Sequence, residues 1–448
     1  MFKALFGRPE GLLVVTFAGW IVLGTLALWL PISQGERAVS LLDCLFTSTS
    51  AVCVTGLTTV DTAGAWSRTG HTVILVLIQV GGLGIMTFAA VGARVLRIRF
   101  SFSSQAALTG ALFDSDARVE LRRSVGFIIA FTLIFEALGA AALWLAARFD
   151  ASLADDPFDA IFHSVSAFCN AGFSVYTDNA IALRGSPLGL ATIAVLIILG
   201  GLGYTVVIEL LARAWKRVSG RGELPLQWSL QTRVVLWMSL LLIVAGAACL
   251  GVLGLTARET HIGERIVHAS FQSISARTAG FNTLDVAALP VSSLLVLIGL
   301  MFIGGSPGSC AGGIKTTSAA VWLARLRARL LSRESVTILR RRVPQEVVRR
   351  SALVLSVATL WNLLGVLVLA LSESRPDVRF EHLLFEQVSA FGTVGLSCNF
   401  TPTLSSVGKL WIVLTMFVGR VGPLTLALAV LPKPRPLFQY PSERVMIG

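Results

Sequence analysis

One short phrase, a small or hydroxyl residue followed by glycine and then Leu or Phe, is written into this chain four times. The copies are Val54-Thr55-Gly56-Leu57, Asn170-Ala171-Gly172-Phe173, Thr278-Ala279-Gly280-Phe281 and Thr393-Val394-Gly395-Leu396. Each stands just after a short apolar segment and just before a long one. A unit repeated at intervals of roughly a hundred residues sets the architecture before any local propensity does. Four equivalent glycine turns suggest four walls around one axis.

The short segments span 41–51, 158–168, 266–276 and 382–391. A helix needs about 20 residues to cross a hydrocarbon core about 30 Å thick, so these fit re-entrant half-helices instead. They align on Ser48-Thr49-Ser50-Ala51, Ser164-Val165-Ser166-Ala167, Ser273-Ile274-Ser275-Ala276 and Gln387-Val388-Ser389-Ala390, the third copy being one residue shorter before its glycine. A second glycine motif follows each turn, inside the next long segment. These clusters are Gly81-Gly82-Leu83-Gly84, Gly200-Gly201-Leu202-Gly203, Gly304-Gly305-Ser306-Pro307-Gly308 and Gly419-Arg420-Val421-Gly422-Pro423. Two motifs in register four times define a unit of span, pore half-helix, filter turn and span.

With 54% hydrophobic and 14% charged residues, and a mean hydropathy of +0.77, the 448-residue chain is too apolar for a soluble domain. Eight stretches reach spanning length, near 11–30, 72–92, 124–147, 188–211, 232–255, 292–323, 351–371 and 408–430. The first lacks a small-residue cleavage site and reads as a retained span rather than a signal peptide. The expected fold is therefore an all-α polytopic membrane protein of four repeats with pseudo-fourfold symmetry around one central pore. Repeat 1 covers 1–110, repeat 2 covers 111–220, repeat 3 covers 221–340 and repeat 4 with the C-terminal tail covers 341–448.

A formal charge of +12 could suggest nucleic acid, but its distribution follows topology instead. Most of the 37 Lys and Arg fall in the N-terminus, 93–123, 212–233, 323–350 and the stretch from 431. The positive-inside rule puts those segments, and both termini, in the cytoplasm of a multi-pass membrane protein. The runs Arg340-Arg341-Arg342 and Arg349-Arg350 serve topology, or contact a cytosolic partner or anionic membrane lipids. The six cysteines show no C-x-x-C pairing and read as small core residues. The five histidines fall on outside connections with no metal-ligand spacing. No nucleophile or metal cluster within the spans supports an intramembrane enzyme.

A cation crossing hydrocarbon needs oxygen ligands in place of its hydration shell, and a ring of backbone carbonyls supplies them without fixed charge. Glycine lets the backbone take φ > 0 and approach the ion closely. The C-terminal ends of the half-helices would add about half a negative charge each. The candidate filter is Val54, Thr55, Gly56, Asn170, Ala171, Gly172, Thr278, Ala279, Gly280, Thr393, Val394 and Gly395. Beyond it, Asp61, Asp178, Asp285 and Asn399 either concentrate cations at an outer mouth or cap local turns.

Charge inside a span is functional by default, which singles out Lys315 and Arg420. Arg420 falls within the glycine cluster of its repeat, as an electrostatic barrier or gate counter-charge. Lys315 ends the run 304–317, too rich in glycine, with a proline, to remain helical. Irregular backbone at membrane depth is tolerated only in protein or beside a cavity, so this run reads as an intramembrane gate, or as a packing notch. Gly308, Ser309, Gly312, Gly313, Lys315 and Arg420 are the gate candidates. Glu136 has no partner visible in the sequence, and Glu209, near a cytoplasmic end, can reach water.

Ala51-Val52-Cys53-Val54-Thr55-Gly56-Leu57, Arg277-Thr278-Ala279-Gly280-Phe281-Asn282-Thr283, the run 304–317 and Gly419-Arg420-Val421-Gly422-Pro423 together resemble the Trk/Ktr/HKT superfamily of potassium transporters. Eight spans and the tail from Tyr440 to Gly448 are most similar to the KtrB branch, the membrane subunits of Ktr systems. The resemblance implies one pore per chain, a homodimer, and a cytosolic octameric ring of KtrA-like nucleotide-binding domains. It makes the loop and Arg420 the gate. Some sodium-selective relatives carry serine at the first filter glycine, so Gly56 favours K+ as the transported ion. No Rossmann or P-loop motif is present, so any nucleotide belongs to the partner and this chain holds no organic cofactor. The expected function is channel-like potassium uptake. The alternative is a secondary symporter coupled to H+ or Na+, with Glu136 as its candidate.

Overall fold

A computed structural model of the chain describes residues 9–101, 115–149, 155–219, 228–253, 262–376 and 378–422. The two termini, the tail from Tyr440, Pro423 and two of the expected repeat boundaries lie outside the described residues. Helices dominate: α1 (Pro9–Trp29), α2 (Leu41–Val52), α3 (Arg68–Ser101), α4 (Ser115–Phe149), α5 (Pro157–Phe168), α6 (Pro187–Leu202) and α7 (Tyr204–Ser219) make up one half. The other half holds α8 (Leu230–Val252), α9 (Ile262–Ser275), α10 (Val291–Phe302), α11 (Thr316–Leu330), α12 (Gln345–Ser372), α13 (Phe380–Gly392) and α14 (Ser406–Val421). Between α11 and α12 sits a small hairpin of β1 (Thr337–Ile338) and β2 (Arg341–Arg342).

Local chemistry places the helix starts. Ser40 accepts from the Asp43 amide at the head of α2, and Asp156 accepts from Phe158 N at α5, with Pro157 in the first turn where its missing N–H costs nothing. Ser186, Ser229 and Ser405 cap α6, α8 and α14 in the same way.

Five described helices are long and apolar enough to cross a membrane, α1, α3, α4, α8 and α12, or six with α6 and α7 counted as one bent span. Their outward faces leave Val22, Leu23, Leu138, Leu240, Leu360 and Leu363 exposed, as lipid-facing side chains are. The four short segments are all helices of 12 to 14 residues, α2, α5, α9 and α13, and the sides they turn inward are fully buried.

Two expected spans differ, and the last, expected at 408–430, is described only as far as Gly422. The stretch expected at 188–211 is broken at Gly203, where α6 and α7 meet at 107°. A side chain at Gly203, at φ +87°, would meet the Pro307 carbonyl at 2.5 Å, so the chain turns there to admit the loop after α10. The stretch expected at 292–323 is divided into α10 and α11 by that same loop.

One contact recurs between each of α1, α4, α8 and α12 and the short helix that follows it. A side chain at Gly24 would strike Ser48 Oγ at 2.4 Å, and one at Gly139 or Gly246 would strike Ser164 Oγ at 2.5 Å or Ser273 Oγ at 2.4 Å. At Gly365 the obstacle is Gln387. These glycines let the short helices approach closely enough for Ser48 and Ser164 to donate to the Ile21 and Glu136 carbonyls at 2.7 and 2.6 Å.

Candidate functional site

The four glycine turns close into a ring. A Cβ placed on Gly56 would meet the Ala171 carbonyl at 2.4 Å, one on Gly172 that of Ala279 at 2.6 Å, one on Gly280 that of Val394 at 2.4 Å, and one on Gly395 that of Thr55 at 2.2 Å. Each turn therefore touches the next in chain order, and the fourth returns to the first. All four glycines have positive φ (+91°, +69°, +76° and +95°), and so do the residues two places earlier, Val54, Asn170, Thr278 and Thr393 (+55°, +59°, +78° and +48°). The residues between, Thr55, Ala171, Ala279 and Val394, are not in that region. Alternating the hand of successive residues turns successive carbonyls toward the same side, the arrangement a carbonyl-lined ion site requires. Holding a non-glycine residue left-handed costs about 1–2 kcal/mol each, so the surroundings must enforce it.

They do so through one serine per short helix. The carbonyls of Ser50, Ser166 and Ser389 accept from the amides of Thr55, Ala171 and Val394 at 2.8, 2.7 and 2.9 Å, and Ser275 serves Ala279 at 2.9 Å. The Ser50 and Ser389 hydroxyls accept from Gly56 N and Gly395 N, whereas the Ser166 and Ser275 hydroxyls donate to the Phe173 and Phe281 carbonyls. The Asn170 amide, with its nitrogen toward the Ile197 and Ala167 carbonyls, accepts from Thr278 Oγ1 at 3.3 Å, linking the second turn to the third.

A second set of side chains, absent from the sequence-based expectation, secures the far side of the turns. In α13, Glu386 is fully buried and accepts from the Ser397 hydroxyl and from Thr401 Oγ1 at 2.8 Å, just past Gly395. His163 occupies the same register in α5 and contacts Ser174 Oγ at 2.9 Å, and His268 in α9 reaches Thr283 Oγ1 at 3.0 Å. A polar residue nine places before the glycine, paired with a hydroxyl two places after it, is the signal that identifies Glu386 and His163.

The loop 303–315 lies directly against one side of this ring. Its two ends are joined by Gly304 N to the Ile314 carbonyl at 2.9 Å, and Thr316 N, at the start of α11, donates to the Gly305 carbonyl at 3.1 Å. The break at Gly203 leaves the end of α6 with unpaired carbonyls, and the loop supplies donors: Ser306 N to Gly201 at 3.0 Å and Cys310 N to Gly200 at 3.3 Å. Tyr204 N returns a bond to the Gly308 carbonyl at 3.0 Å. Gly308 and Gly313 take φ of +76° and +62°, and Ser309 Oγ donates to the Ser306 carbonyl at 2.7 Å. Gly312 sits so close to Thr393 that a Cβ would fall 2.2 Å from its hydroxyl. Lys315 turns back on its own loop, Nζ to the Ala311 carbonyl at 2.5 Å.

Arg420, buried in α14, bridges the loop to the opposite wall. Its Nη1 donates to the Cys310 carbonyl and its Nη2 to the Gly81 carbonyl at 2.7 Å. The candidate gate residues are thus brought together beside the ring, with Arg420 joining helix α3 to the loop.

Other expectations resolve individually. Asp61 and Asp285 are caps, accepting from Ala63 N at 3.2 Å and Ala287 N at 3.1 Å, and Asn399 donates to Asp285 at 3.2 Å; Asp178 makes no side-chain cap bond. Glu136 does have a partner, Gln79 Nε2 at 2.9 Å, and Glu209 is engaged by Ser229 and Thr232. Five cysteines are buried as expected, but Cys249 is exposed, on the outward face of α8. No group of three His, Cys, Asp or Glu suited to a metal occurs among the described residues. Near the starts of their helices, Lys409 of α14 meets Asp43 of α2 at 2.8 Å, tying the last unit to the first.

Residues 12–437 match the TrkH family of cation transport proteins. This chain belongs to that family. It is 35% identical over 453 residues to the Ktr system potassium uptake protein B of Vibrio alginolyticus, covering 100% of this chain and 96% of the relative. The protein of the same description from Bacillus subtilis is 34% identical, with 98% and 97% covered. The potassium/sodium uptake protein NtpJ of Enterococcus hirae is 33% identical, again with 98% and 97% covered. The crystal structure of the potassium transporter TrkH from Vibrio parahaemolyticus shares the fold, with a TM-score of 0.73 at 20% identity, over 94% of this chain and 84% of that one. The family is one of transporters, and these relatives are potassium uptake proteins by description.

Proposed function

We propose that the chain is the ion-conducting subunit of a channel-like potassium uptake system, with the four glycine turns as its selectivity filter. The observation that carries this is the closed order Gly56, Gly172, Gly280, Gly395 and back to Gly56, with a negative-φ residue between two positive-φ ones in every turn. Carbonyls of Val54, Thr55, Gly56 and their counterparts then replace the hydration shell of K+. Four units of span, pore helix, turn and span surround the axis with pseudo-fourfold symmetry, a reading the recurring glycine–serine contacts support. The chain sits in the bacterial inner membrane with both termini cytoplasmic. It works as a homodimer under a cytosolic, nucleotide-binding KtrA-like ring.

In this reading the loop 303–315 is the gate, and the captured arrangement is closed. Gly308, Ser309, Gly312 and Gly313 give the loop its path, Lys315 folds it on itself, and Arg420 bolts it to the Gly81 carbonyl. A partner on the cytoplasmic face opens the pore by displacing the loop through α11. Buried Glu136, bonded to Gln79 beside the end of α5, favours a second reading, uptake coupled to H+ or Na+.

Uptake of K+ and Na+ into proteoliposomes holding this chain alone, under an imposed voltage and no other gradient, separates the two. Potassium-selective flux that follows voltage and ignores a pH step supports the pore. Flux that needs a proton or sodium gradient overturns it, and Glu136→Gln would then abolish the coupling.

A further inference from the structure

The segment between α11 and α12 carries more arginine than topology requires, and it is folded. Val321, Ala328, Val336, Val343 and Val348 form a small core that clamps the end of α11, the β1–β2 hairpin and the start of α12 together. Against this core lies a cleft of about 370 Å³ whose lining includes Arg325, Arg329, Arg333 and Arg349, with Glu334 as its acidic member. Four guanidinium groups against one carboxylate on a fixed frame repel one another unless an anion joins them.

What flanks the cleft indicates the anion. Beside the cleft Trp322, Leu326 and Leu330, spaced four apart along α11, and Val347 near the start of α12 are all exposed, so an apolar strip flanks Arg325 and Arg329 on the same helix. Arg349 stands near the start of α12, just before its long apolar stretch begins. A soluble anion would use the arginines and leave the strip bare. A molecule with a phosphate at one end and hydrocarbon at the other uses both.

We propose that this cleft binds the phosphodiester headgroup of an anionic phospholipid, with its acyl chains along the exposed strip of α11. The lipid then braces the helix that continues directly from the loop 303–315. The inference rests on the chain's lying in a membrane, and it stands whether or not the loop is the gate.

Native mass spectrometry of the full chain in detergent, offered equal phosphatidylglycerol and phosphatidylcholine, tests this. Phosphatidylglycerol is expected to be retained over phosphatidylcholine. Arg329→Gln with Arg349→Gln is expected to weaken retention about five-fold per arginine removed. Arg329→Lys with Arg349→Lys should keep most of it, and Arg342→Gln, on the hairpin outside the cleft lining, should leave it unchanged. Thermal melting of each variant in phosphatidylcholine nanodiscs separates loss of binding from loss of fold. Equal retention of the two lipids, or undiminished preference in the folded double Gln variant, overturns the proposal. Displacement of bound phosphatidylglycerol by inorganic phosphate overturns it in favour of a soluble ligand.

Discussion

Replacing Arg420 tests whether the loop is held shut from across the pore. The guanidinium makes two charge-assisted bonds to backbone carbonyls, one on Cys310 and one on Gly81. Each such bond is worth about 1.5–3 kcal/mol when its loss leaves a buried acceptor unpaired, so if the loop is the proposed gate the pair favours its closed position by about 3–6 kcal/mol. At 1.4 kcal/mol per tenfold, Arg420→Ala shifts the closed-to-open ratio by roughly 10² to 10⁴. Arg420→Lys, a point charge able to reach one carbonyl at a time, falls between them. The fold itself loses less, because a buried guanidinium carries a desolvation cost that leaves with it. Voltage-driven K+ flux into proteoliposomes of the chain alone should rise in the order wild type, Arg420→Lys, Arg420→Ala, with the preference for K+ over Na+ retained. Flux unchanged or reduced in monodisperse Arg420→Ala protein would refute the bolt.

Three further outcomes follow from the same geometry. Gly56→Ser puts a side chain 2.4 Å from the Ala171 carbonyl at φ +91°, a strain of about 2–5 kcal/mol within the ring, and should lower K+ over Na+ selectivity in competition uptake; an unaltered ratio would remove Gly56 from the filter. Glu386→Gln puts an amide NH2 in place of one of the two oxygens that accept from Ser397 and Thr401 and should alter selectivity while costing about 1–3 kcal/mol, whereas Glu373→Gln, also buried but bonded to Ser405 at the head of α14, should lower the melting temperature and leave selectivity alone. At Asp43, burial raises the carboxyl pKa, but hydrogen bonds from Lys409 and Ser40 outweigh it and hold the value below the usual 3.8. Its ion pair therefore stabilises the fold above the ordinary carboxylate pKa and fades as pH falls through the lowered value. Asp43→Asn should cost about 1 kcal/mol at neutral pH, measured by thermal melting, and nothing once the medium is acid enough to protonate Asp43.

The four short helices and the glycine turns after them were legible because their signals are local: a segment too short to span, a Ser-Ala pair near its end, and a glycine at nearly fixed distance. Gly203 was not, since a glycine in an apolar run usually stays helical, and only the approach of Pro307 from another unit bends the chain there. Gly24, Gly139, Gly246 and Gly365 were visible as letters but not as contacts, because what they admit is a side chain on a different helix. Glu136 seemed isolated for the same reason: its partner Gln79 is distant in sequence and brought close only by the packing of α3 on α4. The role of Glu386 rests on Ser397 and Thr401, which a turn-by-turn comparison of the four units brings into register.

A ring assembled from identical subunits must repeat every part at every quarter, so a loop reaching the axis would arrive in four copies and collide with itself. Here the four quarters are stretches of one polypeptide and free to differ. The third carries the loop, the fourth the arginine, the second the broken helix on which the loop rests, and the first the Gly81 carbonyl that receives the arginine. The backbone of the four turns stays nearly equal, with positive φ at the same two places in each, while the side chains around them differ. In the proposed pore, division of labour among quarters of one chain is what would let a single plug and a single bolt serve the whole ring.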